Sequence, residues 1–232
     1  PMSGYEEDAL LAIENIYRAK NQAEDYVAYI EKIGKGATKT DEQKEDLVFS
    51  SAEQVYLSEN YQKAVTSLKS YLEKYPFGSK ACKAEYYTAE SHRLLGDLEQ
   101  ACAFYAKVID RDDPLYTFQS MLAYCELSYR LENWEDAFGG YSAVYSKSTK
   151  ESEKRNALLG MMRSAFKWSN WNEALEASEL VTVNAGFDSN VKREATFIKA
   201  KSLMALSRRA EALSEMTELA KDVRDQYGAE SA

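Results

Sequence analysis

One histidine, His92, and three cysteines, Cys82, Cys102 and Cys125, are the chain's supply of imidazole and thiol chemistry. Metal sites need such ligands in close pairs, and Cys82, His92 and Cys102 stand too far apart in sequence to signal zinc. An odd number of thiols cannot make a complete disulfide framework. All three sit in helical, partly apolar contexts, where a free Cys acts as a small buried hydrophobe, and they leave the redox compartment open. His92 lies on a helix stripe that faces its hairpin mate, which predicts a packed, hydrogen-bonded imidazole. No H-E-x-x-H, G-x-S-x-G or G-x-G-x-x-G is present. Gly34-Lys35-Gly36-x-x-Lys39-Thr40 has the look of a phosphate loop, but it lacks the G-K-[ST] ending and no strand precedes it. Charge runs such as Asp41-Glu42 and Glu151 to Lys154 read as solvated faces, and nothing pairs two carboxylates in an apolar cleft. The residues therefore point away from an enzyme: no catalytic, cofactor-binding or metal-ligating set is predicted.

The elements that carry these residues are helices. Only 3 prolines and 10 glycines interrupt 232 residues, whereas a sheet-rich chain needs many tight turns. With 45% hydrophobic and 29% charged residues the chain is expected to fold around a sizeable core. The net charge of −9 argues against nucleic acid and against an anionic membrane surface as partners. No signal peptide and no bilayer-spanning apolar run are visible.

One pattern recurs: a short turn, an aromatic or apolar residue, then alanine three residues on. It occurs as Glu59-Asn60-Tyr61-x-x-Ala64, Gly96-Asp97-Leu98-x-x-Ala101, Glu132-Asn133-Trp134-x-x-Ala137 and Ser169-Asn170-Trp171-x-x-Ala174, with a weaker copy at Ser207-Arg208-Arg209-x-x-Ala212. The alanines are spaced by 37, 36, 37 and 38 residues. Asn60, Asp97, Asn133 and Asn170 suit helix N-caps, and Gln100 and Glu173 suit the third-residue partner of a capping box. The alanine admits a close helix crossing. Residues four and seven further on (Leu68/Tyr71, Tyr105/Val108, Tyr141/Val144, Ser178/Val181, Met216/Leu219) share its stripe. A further helical stretch precedes each turn, so each unit reads as helix–turn–helix. Gly139-Gly140 falls inside one of these helices and marks either a flex point, a close crossing or a tolerated surface pair.

This repeat resembles the tetratricopeptide repeat. The match is fullest at Ala89, Gly96, Asp97, Ala101, Tyr105 and Pro114, with Pro76 closing the preceding copy. Later copies lack the proline, and Arg208-Arg209 replaces the cap and aromatic in the last. The period is about two to three residues longer than the roughly 34 usual in that family. Such lengthened repeats resemble those of periplasmic tetratricopeptide proteins associated with the Tol–Pal envelope system of Gram-negative bacteria. The resemblance implies an all-α, right-handed superhelical solenoid of antiparallel helix pairs, with about twelve helices. Residues 1–40 form a degenerate N-terminal hairpin and a flexible-looking linker, Gly34 to Thr40; residues 41–232 carry the five hairpins, read as a segment of a longer array because no polar capping helix follows.

In this family the first helix of each hairpin lines the concave side, so an exposed row can be read by register. The first row is Phe49, Tyr86, Leu122, Leu159 and Phe197. Four residues on lie Glu53, Glu90, Glu126, Arg163 and Lys201, and seven on lie Tyr56, Arg93, Tyr129, Phe166 and Met204. That surface is aromatic-rich, acidic over three repeats and basic over two, and its aromatics are expected either to meet a partner or to pack between helices. Phe49, Glu53, Tyr86 and Glu90 occupy the places where the family's carboxylate clamp would need Lys and Asn, so a chaperone-type clamp is disfavoured. The resulting expectation is a protein- or peptide-binding scaffold of the cell envelope or periplasm. The alternatives are a glycan- or peptidoglycan-associated module and an accessory domain of a larger enzyme. The residues leave the cytoplasm, the oligomeric state and the partner's identity open.

Overall fold

The computed structural model describes residues 4–223 and 226–231. The first three residues of the N-terminal segment, and positions 224, 225 and 232 of the repeat segment, lie outside the described residues. Among the described residues there are thirteen α-helices and no strand. They are α1 Gly4–Ala19, α2 Ala23–Lys32, α3 Asp41–Leu57, α4 Tyr61–Lys74, α5 Ala81–Leu95, α6 Leu98–Arg111, α7 Thr117–Arg130, α8 Trp134–Lys147, α9 Glu151–Lys167, α10 Trp171–Val183, α11 Ser189–Ala205, α12 Arg209–Leu219 and the short α13 Gln226–Ser231. Twelve of them follow one another as hairpins, which is the expected all-α helix-pair architecture, and α13 is additional.

Hairpin turns of two to three residues force antiparallel mates, and most need one left-handed residue. Glu59, Glu132, Ser169 and Ser207 take φ of 61–63° there, and Gly96 takes 82°. Of these only Gly96 adopts that conformation without steric cost. The predicted caps divide. Asn60 accepts from Lys63 N at 3.3 Å and Asp97 from Gln100 N at 3.4 Å, while Asn133 and Asn170 make no side-chain cap bond. A full capping box forms where the repeat pattern does not mark one: Thr40 and Gln43 bond reciprocally at the start of α3.

The chain divides into two compact units, residues 1–117 and residues 118–232. In the first, α1 and α2 pack as the degenerate hairpin and share a core with α3 and α4 built on Val27, Ile30, Leu47, Leu68 and Tyr71. Glu14, on α1, is buried and ion-paired with Arg18 and Lys39, both at 2.8 Å. Burial pushes its carboxyl up, but the hydrogen bonds from Lys39 and Arg18 outweigh that and hold it below the usual range. The linker is therefore anchored: Gly36–Thr38 forms a 3-10 turn, and Lys39 beyond it reaches into α1. In the second unit, Leu158, Met162, Ala165, Ala174, Val181 and Ile198 form the main core.

The repeat alanines carry the packing. Ala64, Ala101, Ala137, Ala174 and Ala212 are all fully buried. A second small position runs through the first helices as Ala52, Ala89, Cys125 and Ala200, interrupted by Met162, all buried. Where Cys125 replaces alanine, Gly140 faces it: a Cβ on Gly140 would lie 2.7 Å from Cys125 Cβ, whereas one on Gly139 would meet nothing within 4 Å. Gly140 is thus a close crossing and Gly139 a surface glycine.

Candidate partner-binding site

The first-helix rows behave differently in the two units. In unit 1, Phe49 is buried, edge-to-face on Tyr71 at 5.3 Å, and with Glu53 it lines a pocket of about 450 Å³. Glu53 is ion-paired to Lys83 at 2.6 Å. Tyr56 is half-buried, and its outer face is covered by Tyr87, stacked at 4.1 Å and 12°. Tyr86 is half-buried between Tyr105 and Tyr116. Glu90 accepts from the Tyr105 hydroxyl and pairs with the exposed Arg93 at 2.6 Å. The carboxylates that read as an acidic strip are therefore neutralised or hydrogen-bonded at Glu53 and Glu90, because their partners arrive from α5 and α6.

In unit 2 part of the row converges. Tyr129 from α7, Arg163 and Phe166 from α9 and Phe197 from α11 line a single pocket of about 250 Å³, completed by Lys167, Glu194, Ile198 and Tyr227. Tyr129 and Phe166 are half-buried, while Phe197 is 9% exposed and forms the floor. Each wall aromatic is backed by the residue that opens its hairpin mate. Tyr129 meets Trp134 edge-to-face at 5.0 Å, and Phe166 meets Trp171 at 5.8 Å. Tyr56 and Tyr61 make the same contact in unit 1, at 5.9 Å. Such backing limits the rotamers of each ring before anything binds.

Arg163 is held by Glu194 through two bonds of 2.7 and 2.6 Å. Hydrogen bonding to Glu194 raises its pKa further, so it stays a cation but a committed one. Tyr227, on α13, meets Phe197 at 5.5 Å. Lys201 is exposed with its ammonium 5.1 Å from the Phe197 ring. Leu122 and Leu159 are half-buried, and Glu126 and Met204 are exposed; none of these four lines the pocket.

Glu194, Tyr227, Lys167 and Ile198 were not legible as site residues. Glu194 had a signal: it stands three residues before Phe197, in the register place that Lys83 holds before Tyr86. That row supplies ion-pair partners to the preceding first helix, in α5 for Glu53 and in α11 for Arg163.

His92 is 6% exposed, its Nδ1 is 3.1 Å from Asp97 Oδ2, and its ring stacks on Phe104. It is a packed imidazole. Among the described residues no helix is long and apolar enough to cross a membrane.

Comparison with known proteins adds one local match. Residues 83–113, the α5–α6 hairpin, match the family model for the tetratricopeptide repeat. That match is confined to one hairpin of the chain. The curated proteins contain no match to the chain. Among solved structures, it is similar to a tetratricopeptide repeat protein from Parabacteroides merdae, at 14% identity and TM-score 0.45, over 98% of this chain and 90% of that one. It is also similar to the nearly identical TPR-like repeats of a putative kinesin light chain from Podosopora anserina, at 14% identity and TM-score 0.42, over 74% and 90%. A third is the TPR2AB domain of yeast Sti1 in its pHSP90 complex, at 15% identity and TM-score 0.36, over 99% and 95%. At such low likeness the fold assignment rests on the helix pairing and the repeat register themselves.

Proposed function

We propose that the chain is a non-catalytic protein-interaction scaffold whose second unit seats a large apolar or aromatic side chain of a partner polypeptide. The observation that carries this reading is the aromatic pocket formed by Tyr129, Phe166, Phe197 and Tyr227. Three of those rings come from three successive first helices, so the pocket depends on the repeat stack and not on one hairpin. Rigid aromatic walls bury large area at low entropy cost, which is what an anchor pocket needs. A sugar ring would also stack on aromatics, but its hydroxyls need free polar groups. Here the strongest polar groups, Arg163 and Glu194, are already bonded to each other. That favours an apolar anchor over a glycan.

A peptide library panned against the purified chain tests this. Enriched sequences should share an aromatic or branched aliphatic anchor. The Tyr129→Ala/Phe166→Ala variant should bind them roughly tenfold or more weakly with its helical content kept. Equal binding to that variant would move the functional surface elsewhere. Placement in the cell envelope is a further part of the proposal, supported by the lengthened repeat and its Tol–Pal-like texture. Osmotic-shock fractionation of the native host tests it, and recovery of the protein in the cytoplasmic fraction would remove it.

A further inference from the structure

In unit 1 the second helices α4 and α6 leave a pocket of about 510 Å³ between them, on residues outside the first-helix rows. Its floor is Phe104, 6% exposed. Two ammonium groups stand over that ring, Lys107 at 4.5 Å and Lys69 at 5.3 Å from its centroid. The ring's quadrupole attracts them but leaves their charge uncompensated. Among the described residues neither has a carboxylate partner. In the same unit Lys35, Lys39, Lys44, Lys80 and Lys83 each pair with a carboxylate, whereas Lys69 and Lys107 share one aromatic ring. The third cation of the pocket, Arg111, is committed to Glu85 at 2.8 Å and to the Pro76 carbonyl at 2.9 Å. Leu72 adds an apolar wall. Glu73 also lines the pocket, so Lys69, Lys107 and Arg111 stand against Glu73 and Glu85, a net positive lining on a chain of net charge −9.

We propose that this pocket binds an acidic peptide segment of a partner protein, with Lys69 and Lys107 receiving two of its carboxylates and Phe104 and Leu72 covering the aliphatic stems between them. Charge-assisted hydrogen bonds to carboxylates are the strong ones, and the stems of Glu side chains bury readily on apolar surface. A nucleic acid is a poor fit, because two cations cannot offset the repulsion of its phosphates by the rest of the chain. The site is independent of the unit 2 pocket, so either can fail alone.

The chain carries its own reporter. His92 stacks on Phe104 with ring centroids 5.8 Å apart, and it is the single histidine, so its imidazole proton signals stand alone. Its pKa is held below the usual value by burial first and by the charge of Lys69 second, against the opposing pull of Asp97. An anion seated on Lys69 raises it.

The experiment titrates the whole chain at low ionic strength with the peptide acetyl-Glu-Glu-Leu-Glu-Glu-amide and with its all-Gln counterpart. Binding is read by calorimetry and by the His92 signals over a pH series. The acidic peptide should bind saturably and raise the His92 pKa. The Gln peptide and the Lys69→Gln/Lys107→Gln variant should each lose roughly tenfold in affinity, as two partly exposed ion pairs predict. Circular dichroism checks the variant's fold. Should the double variant unfold, Lys107→Gln alone carries the test, because Lys107 is exposed; it should lose roughly threefold. Equal binding of the Gln peptide, full affinity in the folded variant, or saturation without a His92 response would each overturn the proposal.

Discussion

Arg163 and Glu194 form a two-pronged ion pair between α9 and α11, and Glu53 and Lys83 make the equivalent link between α3 and α5 with the charges exchanged. The link therefore belongs to the register and not to one charge order. Replacing Glu194 by Gln should cost about 1 kcal/mol, the upper end for a partly exposed pair. Urea denaturation checks it. The exchanged pair Arg163→Glu/Glu194→Arg should recover most of the loss, since the opposite order already exists in unit 1.

The two adjacent glycines should respond with opposite signs. Gly139→Ala meets open space and replaces a poor helix former, so stability should rise by up to about 1 kcal/mol. Gly140→Ala drives a methyl group against Cys125 and should cost about 1–3 kcal/mol. Denaturation midpoints of the two single variants decide it; matching shifts would refute the close crossing of α7 and α8.

The fully buried repeat alanines should tolerate no enlargement. Ala101→Leu and Ala137→Leu are each expected to cost about 1–3 kcal/mol by overpacking. Chemical denaturation of each variant measures this, and an unchanged midpoint would contradict the assigned register.

Alkaline pH should destabilise the protein. Burial pushes the Cys125 thiol up to about 12 and the Cys82 thiol up to about 11, and burial also lifts Tyr26 and Tyr56 to about 12. The unfolded chain releases these protons near about pH 8.5 for Cys and about pH 10 for Tyr, while the native state keeps them. Unfolding then releases protons, so stability falls as pH rises above about 8.5, and more steeply beyond about 10. A denaturation series from neutral to alkaline pH checks the slope, and Cys125→Ala should flatten its early part. The same burial predicts that Cys102 and Cys125 label slowly in the native chain and fully once it unfolds.

Some of this was legible in particular residues. The alanine spacing named the hairpins and their contact line, because a helix stripe is a local property of period 3.6. The caps were half legible: Asn133 and Asn170 have the right chemistry but make no side-chain cap bond. The site was legible as rows but not as a surface. Phe49 and Phe197 share the first-row position with the half-buried Tyr86, yet both are buried. Tyr129, Phe166 and Phe197 were readable as row members, but not as the walls of one pocket with Tyr227.

By itself the sequence determined the helix pairs, their register, the small residues at each crossing and the lack of any recognisable catalytic motif. Each follows from residue type at a spacing of a few positions. Only the tertiary structure decided which charges survive as free charges. Glu53 loses its field to Lys83, and Arg163 is committed to Glu194. Lys69 and Lys107 keep theirs over Phe104. Glu53 and Lys83, Arg163 and Glu194, and Lys69 and Phe104 lie thirty or more residues apart along the chain, and no local pattern says which side chains the stacking of one hairpin on the next will bring within bonding distance.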